Sequence, residues 1–180
     1  MKELLKIRTL FVATALALSG CLVSCDDDDN PDRRMDNQMF VSEASSSNML
    51  EIEAGRLAVS KGQREAVRMY GQHMVEDHTA VGTEMKNLAT QKGWTVPTEL
   101  LQKHRNQLAD LQAATTNEFD RKFAQLMVDS HEEAVDLFSD AAENDDGVAD
   151  VDLRNFAASK LPALRRHLEE AKELREDVQD

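Results

Sequence analysis

A short phrase that occurs twice sets the frame for this chain. Residues 70–78 read YGQHMVEDH and residues 123–131 read FAQLMVDSH. An aromatic, a small residue, Gln, Met-Val, an acid and a closing His recur in the same order. Around each copy the apolar residues step by three and four, the period of a helix buried along one side. Two similar helices follow, with His78 and His131 on their apolar stripes.

The same periodicity extends along the chain. A first helix runs from about Asp36 to Ser60, with Phe40, Glu43, Ser47, Leu50, Ala54 and Leu57 on its stripe and Glu51 and Ala58 beside it. The small residues of its Ser45-Ser46-Ser47 run suggest a close helix approach there, and Lys61-Gly62 makes the turn. A second helix, about Gln63 to Lys92, carries Val67, Gly71, Met74, His78, Val81, Met85 and Leu88, and Gly93 ends it as a left-handed cap. Residues 98–114 form a connecting helix long enough to climb a bundle, so the link is either a crossover or a hairpin. A third long helix opens with a capping box, Thr115 to Glu118, and carries Phe119, Phe123, Met127, His131, Ala134, Phe138 and Ala141. The last covers about Asp150 to Val178 with Leu153, Phe156, Leu161, Leu164, His167, Ala171 and Leu174 inward and Pro162 inside the pattern, where a kink is expected. Four long helices with one stripe each predict an all-α four-helix bundle over residues 37–180 with a helical connection between the second and third.

Composition agrees. Apolar residues at 41% suffice for one core, and aromatics at 4% with abundant Ala, Leu and Met favour helices over sheets. The formal charge is −13. Residues 1–20 hold Lys2, Lys6 and Arg8 against Glu3, so the remainder carries −15. A body this acidic repels phosphate backbones, so no nucleic-acid partner is expected.

The start of the chain reads as a targeting segment. Lys2, Lys6 and Arg8 precede the apolar run LFVATALAL at residues 10–18, too short to span a bilayer. LSGC ends at Cys21 and LVSC at Cys25, and both look like the lipoprotein box whose Cys becomes the acylated N-terminus. Cys25 is preferred because Asp26-Asp27-Asp28-Asp29 follows it directly, an arrangement similar to the surface-export signal of Bacteroidota lipoproteins; Cys21 is the alternative. Residues 1–24 are then the signal peptide and 25–36 an acidic, flexible tether. The chain is expected to be exported and held by its lipid anchor at the outer membrane or cell surface, since several acyl chains anchor durably where one does not.

Depth along each helix, at ~1.5 Å per residue, places His78 and His131 level in either topology. His167 falls within about one turn of them. Glu43 matches His78 in depth across the Lys61-Gly62 turn, whereas Glu51 lies about six residues, or ~9 Å, nearer that turn.

The phrases EIEAGRLA (51–58), HMVEDH (73–78), EFDRKFAQLMVDSH (118–131) and FAASKLPALRRHL (156–168) resemble, in order, the domain-of-unknown-function family 4142. Its members are exported bacterial proteins, often labelled outer-membrane proteins and assigned a ferritin-like fold. The resemblance spans about residues 36–175 and implies polar motif positions at Glu51, Asp77, His78, Phe119, Asp120, His131, Pro162 and His167. It thus favours Glu51 where the depth count favours Glu43. The ferritin-like fold invites a di-iron reading, but such centres need Glu-x-x-His on two helices. Three positions before His78, His131 and His167 stand Val75, Val128 and Leu164.

Two readings of the histidines remain. In one, His78, His131 and His167 with Glu51 (alternatively Glu43) hold a single transition-metal ion, copper, zinc or iron, since imidazole serves all three. Met74 and Met127, each four residues before a His, would add soft sulfur and favour copper. In the other, the imidazoles hydrogen-bond inward carboxylates (Glu51, Asp120) and fix the packing of a structural or interaction domain. His73 and His104 are expected at the surface, and Asp77 and Asp129, beside the stripes, either orient imidazoles or are solvated. No Gly-rich phosphate loop, catalytic Cys or Ser-His-Asp spacing is present, so enzymatic chemistry would require a bound metal to supply it.

Overall fold

The computed structural model describes residues 35–143 and 146–179. The proposed signal peptide, both cysteines and the tether up to residue 34 lie outside the described residues. Five helices are present, α1 (Asn37–Lys61), α2 (Glu65–Lys92), α3 (Gln102–Gln112), α4 (Thr116–Ala142) and α5 (Val151–Asp177), and no strand occurs among the described residues. None of these helices is long and apolar enough to cross a membrane.

Local chemistry sets the ends. Asp36 accepts the Met39 N–H at 2.8 Å, and Asp150 accepts those of Asp152 and Leu153 at 2.9 and 3.1 Å, satisfying donors that a helix start leaves open. Gly93 closes α2 at φ 76°, a left-handed conformation that costs glycine little. The Thr115–Glu118 capping box starts α4 as its spacing predicts. Pro162 lies within α5, which continues through it as one helix.

Two apolar clusters reveal the topology. One joins the C-terminal half of α1 (Leu50, Ala54, Ala58) to the N-terminal halves of α2 (Val67, Met74) and α4 (Phe119, Phe123) and the C-terminal half of α5. The other joins the opposite ends: Phe40 and Val41, Met85 and Ala89, Phe138 and Ala141, Leu153 and Phe156. Helices α2 and α4 are therefore parallel, each paired with an antiparallel neighbour. The link between them is a crossover, with α3 packed on α1 and α4. The repeated phrase now acquires a spatial meaning. Its aromatic heads, Tyr70 and Phe123, meet edge to face at 6.2 Å, and its closing histidines, His78 and His131, meet at 5.6 Å between ring centres.

The α1–α2 pair is the tightest. A Cβ on Gly55 would lie 2.6 Å from the Gly71 carbonyl oxygen, and one on Gly71 2.6 Å from the Ala58 Cβ. The close approach expected at Ser45–Ser47 is thus made at Gly55 and Gly71. Ser46 serves α3 instead, accepting the Leu101 N–H at 2.8 Å and meeting His104 Nδ1 at 2.6 Å. His104 is consequently buried, contrary to its expected surface position. Asp120 also departs from expectation. It touches no imidazole and accepts the Gln63 and Arg64 N–H groups, both at 2.9 Å, holding the start of α2.

Candidate metal centre

Between the two apolar clusters lies one polar layer. Glu51, His78, His131 and His167 come from α1, α2, α4 and α5, and each is at most 3% exposed. The three ring centres form a nearly equilateral triangle with sides of 5.6, 5.6 and 5.5 Å. The common height expected from helical rise is observed.

Each ring is held from behind by an acceptor. His131 Nδ1 donates to the Met127 carbonyl at 2.8 Å. His78 Nδ1 lies 2.9 Å from Glu51 Oε2 and 3.1 Å from Asn48 Oδ1. His167 Nε2 lies 3.0 Å from Asp77 Oδ2. A carbonyl or carboxylate oxygen can only accept, so the proton of each neutral ring sits on the nitrogen facing it. The other nitrogens (Nε2 of His78, Nε2 of His131 and Nδ1 of His167) then carry lone pairs. These three are buried and lack a hydrogen-bond partner among the described residues.

One ligand nitrogen from each of the three rings lies within 4.8 Å of the other two. A triangle with sides no longer than 4.8 Å has a centre about 2.8 Å or less from each corner, a small side-chain adjustment from the ~2.0–2.1 Å metal–imidazole bond. Imidazoles whose far nitrogens are tied to a carboxylate or backbone carbonyl are the usual arrangement around a protein-bound metal. The residues present fit such an ion.

Electrostatics set the protonation. Burial alone would raise the Glu51 carboxyl, but His78 and His131 beside it and the Ser130 hydroxyl, which donates at 3.0 Å, hold it down at about 2. Burial disfavours charge on His78 too, yet the Glu51 carboxylate overcomes this and raises it. His131 is lowered, by burial first. His167 falls to about 4, through burial and then through His131 and His78. Burial thus favours the neutral form of His131 and His167, whose lone pairs a cation needs, whereas His78, held toward its protonated form by Glu51, gives up a proton when it binds one.

The two candidate acids on α1 separate. Glu51 joins the layer, but behind His78 and His131, at 2.9 and 3.6 Å from their Nδ1 atoms. Its place is with the orienting groups, not at the convergence of nitrogens. Glu43 turns to α3 and pairs with Lys103 at 3.2 Å. Glu51 lies ten residues before the end of α1 and His78 thirteen after the start of α2, a mismatch of ~4.5 Å. Side chains lean toward their own helix N-terminus, and in an antiparallel pair that lean brings Glu51 and His78 together. Met74 and Met127 are fully buried in the apolar cluster one turn away.

Several participants escaped the sequence reading. Asn48, Ser130 and Tyr70 are ordinary polar residues until the helices pack; the Tyr70 hydroxyl donates to the His167 carbonyl at 2.9 Å, tying α2 to α5 at the level of the site. His73, expected to be a plain surface residue, is 38% exposed but directs Nε2 at Asp77, 3.1 Å away. Asp129 bonds Gln125 and stays at the surface. A cavity of about 270 Å³ with largely apolar walls, Phe138 and Phe156 among them, adjoins His78 and His167.

Comparison with known proteins agrees with this architecture. Residues 26–174 match the Domain of unknown function (DUF4142). The chain belongs to this family. Among solved structures, "CopM in the Cu(II)-bound form" superposes with a TM-score of 0.65 at 19% identity, covering 80% of this chain and 98% of that one. At that identity the likeness is one of fold. No curated protein matches the sequence.

Proposed function

We propose that this member of the family binds one transition-metal ion, copper in the first instance, through His78, His131 and His167 at the centre of the bundle. The observation that carries the proposal is three buried rings with one nitrogen of each within 4.8 Å of the other two, and with one nitrogen of each facing an acceptor. Each buried polar atom without a partner costs about 1–3 kcal/mol, so three in one layer are a steep cost for a purely structural network. A bound ion relieves all three at once. Such an ion would be a Lewis acid and, if copper, a one-electron centre. The chain's own contribution is to fix the rings and to supply the negative charge of Glu51 between two apolar clusters.

Imidazole alone does not separate copper from zinc or iron. The fold shared with CopM, whose structure contains Cu(II), supports copper. Three protein ligands leave a coordination position open, and the adjoining cavity gives room for a further small ligand. We further propose that the domain works outside the cell, held to the outer membrane by acylation at Cys25, or at Cys21 if the first box is used. Labelled palmitate incorporated by the wild-type chain and lost with Cys25→Ala would support this; incorporation lost only with Cys21→Ala would move the anchor.

Competition titration tests the metal reading. The purified chain should take up one equivalent of Cu(II) with chelator-resistant affinity, and His131→Leu and His78→Gln should each weaken it at least tenfold. Retention of wild-type affinity in both variants would remove the proposed site.

A further inference from the structure

The outer edge of His167 has its own ligand set. Its Nε2 and the Nε2 of His73 approach the same oxygen, Asp77 Oδ2, at 3.0 and 3.1 Å. The two rings stand 5.1 Å apart between centres. One ligand atom from each of His73, Asp77 and His167 lies within 4.8 Å of the other two. Glu170 Oε2 adds a carboxylate 3.6 Å from His73 Nδ1. Unlike the inner triad, His73 and Asp77 are half-exposed.

A groove between α2 and α5 reaches His73, the outermost member of this cluster. It is lined by Glu65, Glu170, Glu173 and Asp177, with the exposed thioether of Met69. Carboxylates along a low-dielectric wall concentrate cations and raise their rate of capture. Arg166 stands at the groove's inner end, half-exposed, 3.7 Å from Asp77, 3.6 Å from Glu170 and 3.4 Å from His167 Nε2, and an incoming cation must displace it.

We infer that His73, Asp77 and His167 form an entry site that receives the metal ion from solvent and passes it to the buried triad, with His167 as the ligand common to both. This rests on the inner site proposed above. The chemistry of one ring decides how the two sites relate. Neutral imidazole has a single lone pair. An ion on Nε2 of His167 requires the ring proton on Nδ1; an ion on Nδ1 requires it on Nε2, where Asp77 accepts the hydrogen bond. The sites therefore exclude each other while the ring is neutral, and the chain holds one ion, not two. Inward transfer moves the ring proton from Nδ1 to Nε2 with no change in the ring's charge.

Stopped-flow mixing of the detergent-solubilised full chain with Cu(II), followed by equilibrium titration, separates the two sites. His73→Ala should slow uptake about tenfold, the lower range of electrostatic and ligand-guided capture, while leaving one equivalent bound at equilibrium with wild-type affinity. His131→Leu, or His78→Gln should that variant fold poorly, should retain one weakly held ion that His73→Ala then abolishes. If the inner-site variants hold no ion, or if His73→Ala loads at the wild-type rate, the entry site is overturned and the inner site stands. If His73→Ala removes the equilibrium ion while His131→Leu leaves it intact, the inner site fails instead. A wild-type chain that takes up no Cu(II) overturns both.

Discussion

Glu51→Gln isolates the charge at the heart of the polar layer. Glutamine has the shape of a protonated carboxyl, so the variant approximates the wild-type chain with Glu51 neutral. The folded carboxyl titrates at about 2 against an ordinary 4.5. Its contribution is fully present above 4.5 and is lost as pH falls through about 2. The difference corresponds to about 3 kcal/mol at pH 7 and falls to under half of that at pH 3. That figure agrees with the 3–5 kcal/mol typical of breaking a buried ion pair. The raised pKa of His78 is the same interaction seen from the other side and is not added to it. Its sign adds a second limb: the stabilisation is complete below the usual 6.5 and fades as pH climbs through the raised value. Urea unfolding of metal-free chain from pH 3 to 9 is the assay. At pH 7 the variant should be less stable by about 3 kcal/mol, or ~10 °C in Tm for a domain of this size, and the gap should narrow toward both ends. A gap below about 0.5 kcal/mol, the scale of an inconsequential surface change, or one independent of pH, would refute the assignment of Glu51 as the buried counter-charge.

Other substitutions probe the frame around the site. Ser46→Ala leaves the Leu101 N–H and His104 Nδ1 without their shared partner and should cost about 1–3 kcal/mol, read in urea unfolding, with Cu(II) affinity unchanged. Gly71→Ala drives a methyl against Ala58 Cβ and Gly55 O, at 2.6 and 2.8 Å; overpacking should cost about 1–3 kcal/mol, and hydrogen exchange should quicken along the facing turns of α1 and α2. Asp120→Ala removes the acceptor for Gln63 and Arg64 N–H, a loss of about 1–2 kcal/mol that should appear as local exchange at the first turn of α2.

Much of this architecture could be read from spacing because helices declare themselves through one number. A stripe stepping by three and four fixes both a helix and its inward face, and the 70–78 and 123–131 phrases placed two histidines at matching depths before any packing was known. Direction remained open, since matching depths fit a crossover and a hairpin equally; the opposed apolar clusters decide it. What the pattern hid were polar residues that face other polar residues. His104 and Ser46 bury each other, as do Asn48 and His78, and neither pair leaves a trace in apolar periodicity. Axial counting alone sets Glu51 apart from His78; side chains are inclined along the helix, and that inclination closes the mismatch. Asp77 could be read as an acid placed to orient an imidazole, but that its partner is His167, and that His73 joins it, becomes visible only when α5 packs alongside α2.

The central claim is that three imidazoles from three helices take hold of one ion. Pulsed electron paramagnetic resonance of the Cu(II)-loaded chain counts coordinated imidazoles through their remote nitrogens. Three should be seen in the wild-type chain and two after His131→Leu. A wild-type count of one or none, or a count of three that survives the loss of His131, would contradict the account.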